Sequence, residues 1–146
     1  MTIKLRDVLF AIAALLGLGF IWLVLRYRRW LAQVTEQASA ESQIIQTRLG
    51  PVEYDRRGAG PVLLHFHGGN VGHKGWFTVA HLVEAGFQLL TPDRPGYLGT
   101  PLGDNGSPEA QADLMAALLD ALDIEQVAVI GAAAGGPGAL QFALRH

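Results

Sequence analysis

Gly131-Ala-Ala133-Ala-Gly135 is the stretch whose residue types and spacing carry a recognisable chemical frame. An apolar, β-prone run, Val127 to Ile130, breaks at a glycine, turns through small residues and enters Ala139 to Leu144, which has helix propensity. The local reading is strand, tight turn, helix. In a Gly-x-Ser-x-Gly frame such a turn is strained and crowded, which is why it needs glycines, and it lifts the central side chain to where a substrate carbonyl can reach it. Gly131 and Gly135 occupy the glycine places, and the central place holds Ala133. A methyl group has no oxygen, no ionisable proton and no route to a covalent intermediate. The frame for acyl transfer is present without its attacking atom.

The elements that must position this frame lie upstream. Val62 to Phe66 is a nearly continuous apolar strand, the pattern of a strand buried on both faces, and it ends at His67-Gly68-Gly69-Asn70. Before it, Gln43 to Arg48 and Pro51 to Tyr54 are short β-prone pieces punctuated by turn residues, an antiparallel opening. Trp76 to Ala85 has the apolar spacing of a short helix, stopped by Gly86 as its C-terminal cap. Phe87 to Leu90 is another strand, closed by Asp93-Arg94-Pro95-Gly96-Tyr97. Ser107 as N-cap, Pro108 at the first helical position and Glu109 in the first turn announce a helix whose apolar face is Leu114, Met115, Leu118, Leu119 and Leu122. Strands and helices alternating at this spacing imply βαβ units and a largely parallel sheet.

The first thirty residues are different in kind. Val8 to Leu25 is an uncharged run that, as a helix, would be about 27 Å long, close to the thickness of a hydrocarbon core. Lys4 and Arg6 precede it, and Arg26, Tyr27, Arg28, Arg29 and Trp30 supply the cationic and aromatic belt of an interface behind it. Residues 1–30 are therefore expected to be a retained single-pass membrane anchor. Ala38-Ser39-Ala40 has the form of a signal-peptidase site but lies too far past the apolar run. Three basic residues after the span against two before it favour a cytoplasmic C-terminal part. Residues 31–41 are expected to be a polar, Ala-rich stalk, and 42–146 the folded domain. With 11 Lys+Arg against 13 Asp+Glu, the net charge of −2 offers no surface for nucleic acid, and with no cysteine there is no disulfide or thiolate chemistry.

Strand-His67-Gly68-Gly69, then Asp93-Arg94-Pro95-Gly96-Tyr97, then the Gly131 to Gly135 turn, taken in that order and spacing, resemble the α/β-hydrolase fold, from about Ile44 onward. The likeness is closest to the esterase, haloperoxidase and prolyl-aminopeptidase-like group. It implies a mostly parallel sheet with flanking helices, of which this chain holds the first five strands, and ester- or amide-type hydrolysis of small molecules by a Ser-His-Asp triad without cofactor or metal. Within that resemblance Ala133 stands at the place of the nucleophile serine, and the backbone N–H groups of Ala134 and Gly69 at the oxyanion donors. His67 is then a residue that shapes its turn. The acid and histidine of the triad should follow the nucleophile, and the 13 residues after Ala133 contain no acid. The chain is therefore expected to lack turnover, and its last strand to stand as an apolar edge unless another chain or segment completes the sheet.

Three other readings compete. A non-catalytic binding module would keep the pocket and the oxyanion donors without chemistry. Gly131-x-Ala133-x-x-Gly136 is one residue from a dinucleotide fingerprint, yet several strands precede it, whereas that fingerprint normally opens its domain. A metal site from His65, His67, His73 and His81 is disfavoured by the lack of an acidic ligand near them in sequence, which leaves them as loop and surface histidines.

Overall fold

A computed structural model describes residues 4–146. Residues Leu5–Ser39 form one helix, α1, unbroken at the Arg26 to Trp30 belt. Its segment Val8–Ser39 contains a stretch of mean hydropathy 2.8, long and apolar enough to cross a membrane, and large side chains such as Leu15 and Leu16 are exposed all along it. The chain divides into two compact units, residues 1–37 and 38–146.

The second unit is built on a five-stranded sheet. Its strands are β1 (Gln43–Thr47), β2 (Gly50–Arg57), β3 (Val62–Phe66), β4 (Gln88–Pro92) and β5 (Ala128–Gly131), in the spatial order β1-β2-β4-β3-β5. β1 and β2 form a hairpin, and β2 runs antiparallel to β4 in the register Tyr54 opposite Pro92. β3 lies parallel to β4 on one side and to β5 on the other, with Leu64 opposite both Leu90 and Val129. The sheet is thus mixed: an antiparallel half opens the domain, and a parallel half brings the ends of β3, β4 and β5 to one edge.

Alternation along the strands sorts the side chains between two faces. Leu64, Phe66, Val52 and Leu90 pack under α3 (Pro108–Ala121) and α4 (Gly136–Arg145), whose Leu114, Met115, Leu118 and Phe142 complete the core. Burial of side chains of this size stabilises by roughly 1.5–3 kcal/mol each. α3 begins as its sequence signals, the Ser107 hydroxyl accepting from Ala110 N–H at 3.1 Å.

The segment expected as a helix over Trp76 to Ala85 is wound differently. It is a 3₁₀ stretch over Gly72–Val79 followed by a single α turn, α2 (His81–Glu84). The tighter winding follows from a close approach: a Cβ at Gly75 would stand 3.1 Å from His67 Cβ, so the backbone runs directly over the end of β3. Gly86 stops the turn in a left-handed conformation, φ +90°, with Phe87 N–H donating to Leu82 O at 3.1 Å.

Candidate active site

β5 delivers the Gly131 to Gly135 turn. Ala132 N–H donates to Phe66 O at 2.9 Å, one step beyond the β3–β5 ladder, and the chain then coils through a 3₁₀ turn, Ala133–Gly135, into α4. Ala133 sits at φ +46°, the left-handed region, at a cost of about 1–2 kcal/mol for a residue with a Cβ. Gly135 N–H donates to Ala132 O at 2.8 Å and closes the turn around it. Both flanking glycines are required by space. A Cβ on Gly131 would stand 2.7 Å from that of Ala139, and one on Gly135 would strike the Phe66 carbonyl and stand 2.6 Å from the His67 carbonyl. The Ala133 methyl is exposed at the apex, and Ala134 follows it, also exposed.

The loop after β3 lies beside that apex. A Cβ on Gly68 would stand 3.6 Å from the Ala133 Cβ. Gly69 is exposed and open around its Cα, and Asn70 follows at φ +68°. His67 holds the loop from below, fully buried. Its Nε2 accepts from Arg94 N–H at 3.0 Å, so the ring proton is on Nδ1, 2.7 Å from Gly68 O. Burial pushes its pKa down, against the Gly68 carbonyl and Asp93, which favour the charged form, and the ring is neutral. Tyr97 packs edge-on against it at 4.7 Å, tying the His-Gly-Gly loop to the Asp93 to Tyr97 loop.

Of the four histidines His65, His67, His73 and His81, the first three are buried and not on the surface, and His73 has an acid directly beside it. It is buried, and its Nδ1 lies 2.9 Å from Asp93 Oδ2 while its own backbone N–H donates to Asp93 Oδ1 at 2.5 Å. Its Nε2 lies 2.9 Å from Ala38 O. Both nitrogens face groups that only accept, so both carry protons. Burial opposes that charge, but the hydrogen bond and charge of Asp93 outweigh it and raise the pKa. Gly72 makes room for the pair: it is left-handed at φ +55°, and a Cβ there would stand 2.7 Å from Asp93 Oδ1. Buried Glu53 completes the cluster, accepting from Gly99 N–H at 2.5 Å and from the Ser42 hydroxyl. Burial works to raise the Glu53 pKa, yet the hydrogen bonds from Ser42, Ser39 and Gly99 and the His73 charge bring it below the usual carboxylate value.

Ligand-type atoms of Glu53, His73 and Asp93 lie within 4.8 Å of one another. The donor set does not suit a cation. Both Asp93 oxygens already accept from His73, Glu53 accepts from Ser42, Ser39 and Gly99, and each His73 ring nitrogen faces an acceptor. His65 is isolated. Its Nε2 is buried without a hydrogen-bond partner and its Nδ1 is 3.5 Å from Thr91 Oγ1, so burial and the neighbouring His67 lower its pKa to about 4. His81 is exposed, and His146 caps α4 with Nε2 2.9 Å from Asp113 Oδ1. Sequence reasoning missed the Glu53–His73–Asp93 cluster because its members are scattered over three separate elements.

A mixed sheet whose parallel strands end at a strained turn before a helix is the architecture of an α/β hydrolase, and the family profile described as alpha/beta hydrolase fold matches residues 61–146. The chain belongs to that family. It is similar to the hydrolase YcgS of Bacillus subtilis, 38% identical over 97 residues that make up 66% of this chain and 34% of that one. It is also similar to a 2-hydroxy-6-oxononadienedioate/2-hydroxy-6-oxononatrienedioate hydrolase of Paraburkholderia xenovorans, 34% identical over 125 residues, 80% of this chain and 43% of the relative. Among solved structures, an alpha/beta hydrolase fold protein from Nakamurella multipartita superposes with TM-score 0.69 and 42% identity, over 72% of this chain and 37% of that one. The chain spans about a third to two fifths of the length of these relatives. The family match displaces the dinucleotide-binding reading.

Proposed function

We propose that this chain carries the nucleophile-side half of a membrane-anchored hydrolase domain, built for ester, amide or related carbonyl substrates and inactive as it stands. The single observation that carries the reading is the turn at Ala133: left-handed, crowded by two obligatory glycines, exposed at its apex and flanked by the His-Gly-Gly loop. In this reading Ala133 marks the nucleophile place, and the backbone N–H groups of Ala134 and Gly69 are the donors for the oxyanion formed when a carbonyl is attacked. A backbone donor does not depend on the side chain at 133, so stabilisation of an oxyanion can persist where attack cannot. The relatives' names, which include hydrolases of oxo-dienedioates, support a small carbonyl compound as ligand.

The exposed apolar helix supports a single-pass anchor over Val8 to Leu25 with 31–41 as its stalk, and the basic residues behind the span support a cytoplasmic domain. A further segment or chain completes the sheet. The support is that β5 pairs with β3 alone among the described residues, beside a groove of about 530 Å³ lined by Leu119, Ile124, Val127, Val129 and Phe142.

The test is a fusion at His146 to the C-terminal part of the Bacillus subtilis relative, with Ala133 or with Ala133→Ser, assayed on short p-nitrophenyl esters. The serine form is expected to turn over substrate faster by several powers of ten. Equal rates in a folded pair sink the serine-hydrolase assignment. Saturable ligand binding by the alanine form, with no product from either, favours the binding-module reading instead.

A further inference from the structure

The exit segment 38–42 is fastened to the domain at three points. His73 Nε2–H donates to Ala38 O at 2.9 Å, Arg57 Nη2 donates to Glu41 Oε2 at 2.5 Å with Lys74 Nζ 3.6 Å from the same oxygen, and the Ser42 hydroxyl reaches both Ser39 O, at 2.9 Å, and Glu53. Arg57, whose pKa is raised by its hydrogen bonds to Asp55 and Glu41, keeps its charge through the neutral range. The His73 attachment is different, because its ring also holds the loop leading from Gly69: Nδ1–H and the backbone N–H of His73 both go to Asp93, across the base of that loop.

We propose that His73 is a positioning residue that joins the exit segment 38–42 to the base of the Gly69 loop through its two ring nitrogens, and that the join exists only while both are protonated. The reason is donor arithmetic. A neutral imidazole has one N–H, and here it faces two acceptors, a carboxylate and a carbonyl. The carboxylate makes the stronger bond to N–H, so it keeps the remaining proton, and Nε2 then turns a lone pair toward Ala38 O. Repulsion replaces the hydrogen bond, and residues 38–42 keep only the Glu41 ion pairs and the Ser42–Glu53 hydrogen bond.

The groups that face His73 are consistent with this. Asp93 comes from the end of β4 and Glu53 from β2, both favouring the charged ring. Neutral His67 comes from the end of β3, Lys74 is turned to Glu41, and Arg57 is held by Asp55 and Glu41. The pKa of His73 is raised, so the join is fully present below pH about 6.5 and is lost as pH rises through the raised folded value.

The His73 join is independent of any hydrolase activity and is tested without turnover. Hydrogen exchange is followed in the full chain in lipid nanodiscs from pH 6 to 9, corrected for intrinsic rates. Protection in residues 38–42 and 68–73 is expected to fall about tenfold in one titration step while α3 stays protected, the size of one lost hydrogen bond to a charged group. Protection that is flat across this range, or that is lost together with α3, overturns the proposal. In parallel, ring nitrogen shifts of His73 in the unmutated chain should show both nitrogens protonated at pH 6.5, and a neutral tautomer there overturns it as well. His73→Gln, where it folds, should have no such step, and a step that survives the substitution counts against His73.

Discussion

His65 is the residue with the clearest titratable consequence. Buried with an unpaired Nε2, it is held neutral down to pH about 4, whereas in the unfolded chain it protonates near 6.5. Below 6.5 the unfolded state binds more protons, so stability falls as pH drops from 6.5 toward 4, by about 3 kcal/mol at most. His67, lowered by burial, acts in the same direction, and Glu53 adds its loss below the carboxylate range. His73 has the opposite sign. His65→Leu is expected to flatten the acid limb of the unfolding free energy measured in detergent micelles and to remove an orphaned polar atom besides. An unchanged slope between pH 6.5 and 4 would show that His65 is not the group responsible.

At the scale of the element, α3 shows a sequence signal turning directly into structure. The Ser107 side chain satisfies one of the orphan donors of the first turn, and Pro108 fills a place where its missing N–H costs nothing. Ser107→Ala should lower stability by about 1 kcal/mol with α3 otherwise intact, read as a shift in the denaturation midpoint at constant slope. The 3₁₀ segment is the opposite case. Apolar spacing in Trp76 to Ala85 reads as an α-helix, but the close pass of Gly75 over His67 and the Asp93 carboxylate lodged against Gly72 impose a tighter coil. Local pattern could not report a contact with residues that lie in other strands.

For the whole molecule the open side of β5 matters most. β5, with Val129 in it and Val127 before it half-buried and with Leu140 and Leu144 of α4 exposed at 62% and 71%, pairs on one side only among the described residues, next to apolar surface. The chain in detergent is expected to self-associate through this edge, and to become monodisperse when further strands are supplied by the fusion described above. A monodisperse monomer of these residues alone, seen by light scattering, would contradict the proposal that a further segment or chain completes the sheet.

The sequence by itself determined what depends on near neighbours: the glycine frame around Ala133, the cap of α3, the apolar run from Val8 to Leu25 and the order of strands and helices that names the family. Each is a contiguous signal, because turn strain, capping and period all act over a few residues. Only the tertiary structure decided which face of which strand meets what. His73 and Asp93 are 20 residues apart and His73 and Ala38 are 35 apart, yet they share one hydrogen-bonded chain around a buried ring. The packing of separate elements brings them together, and it is burial, which no local pattern records, that makes the protonation of a histidine a structural matter.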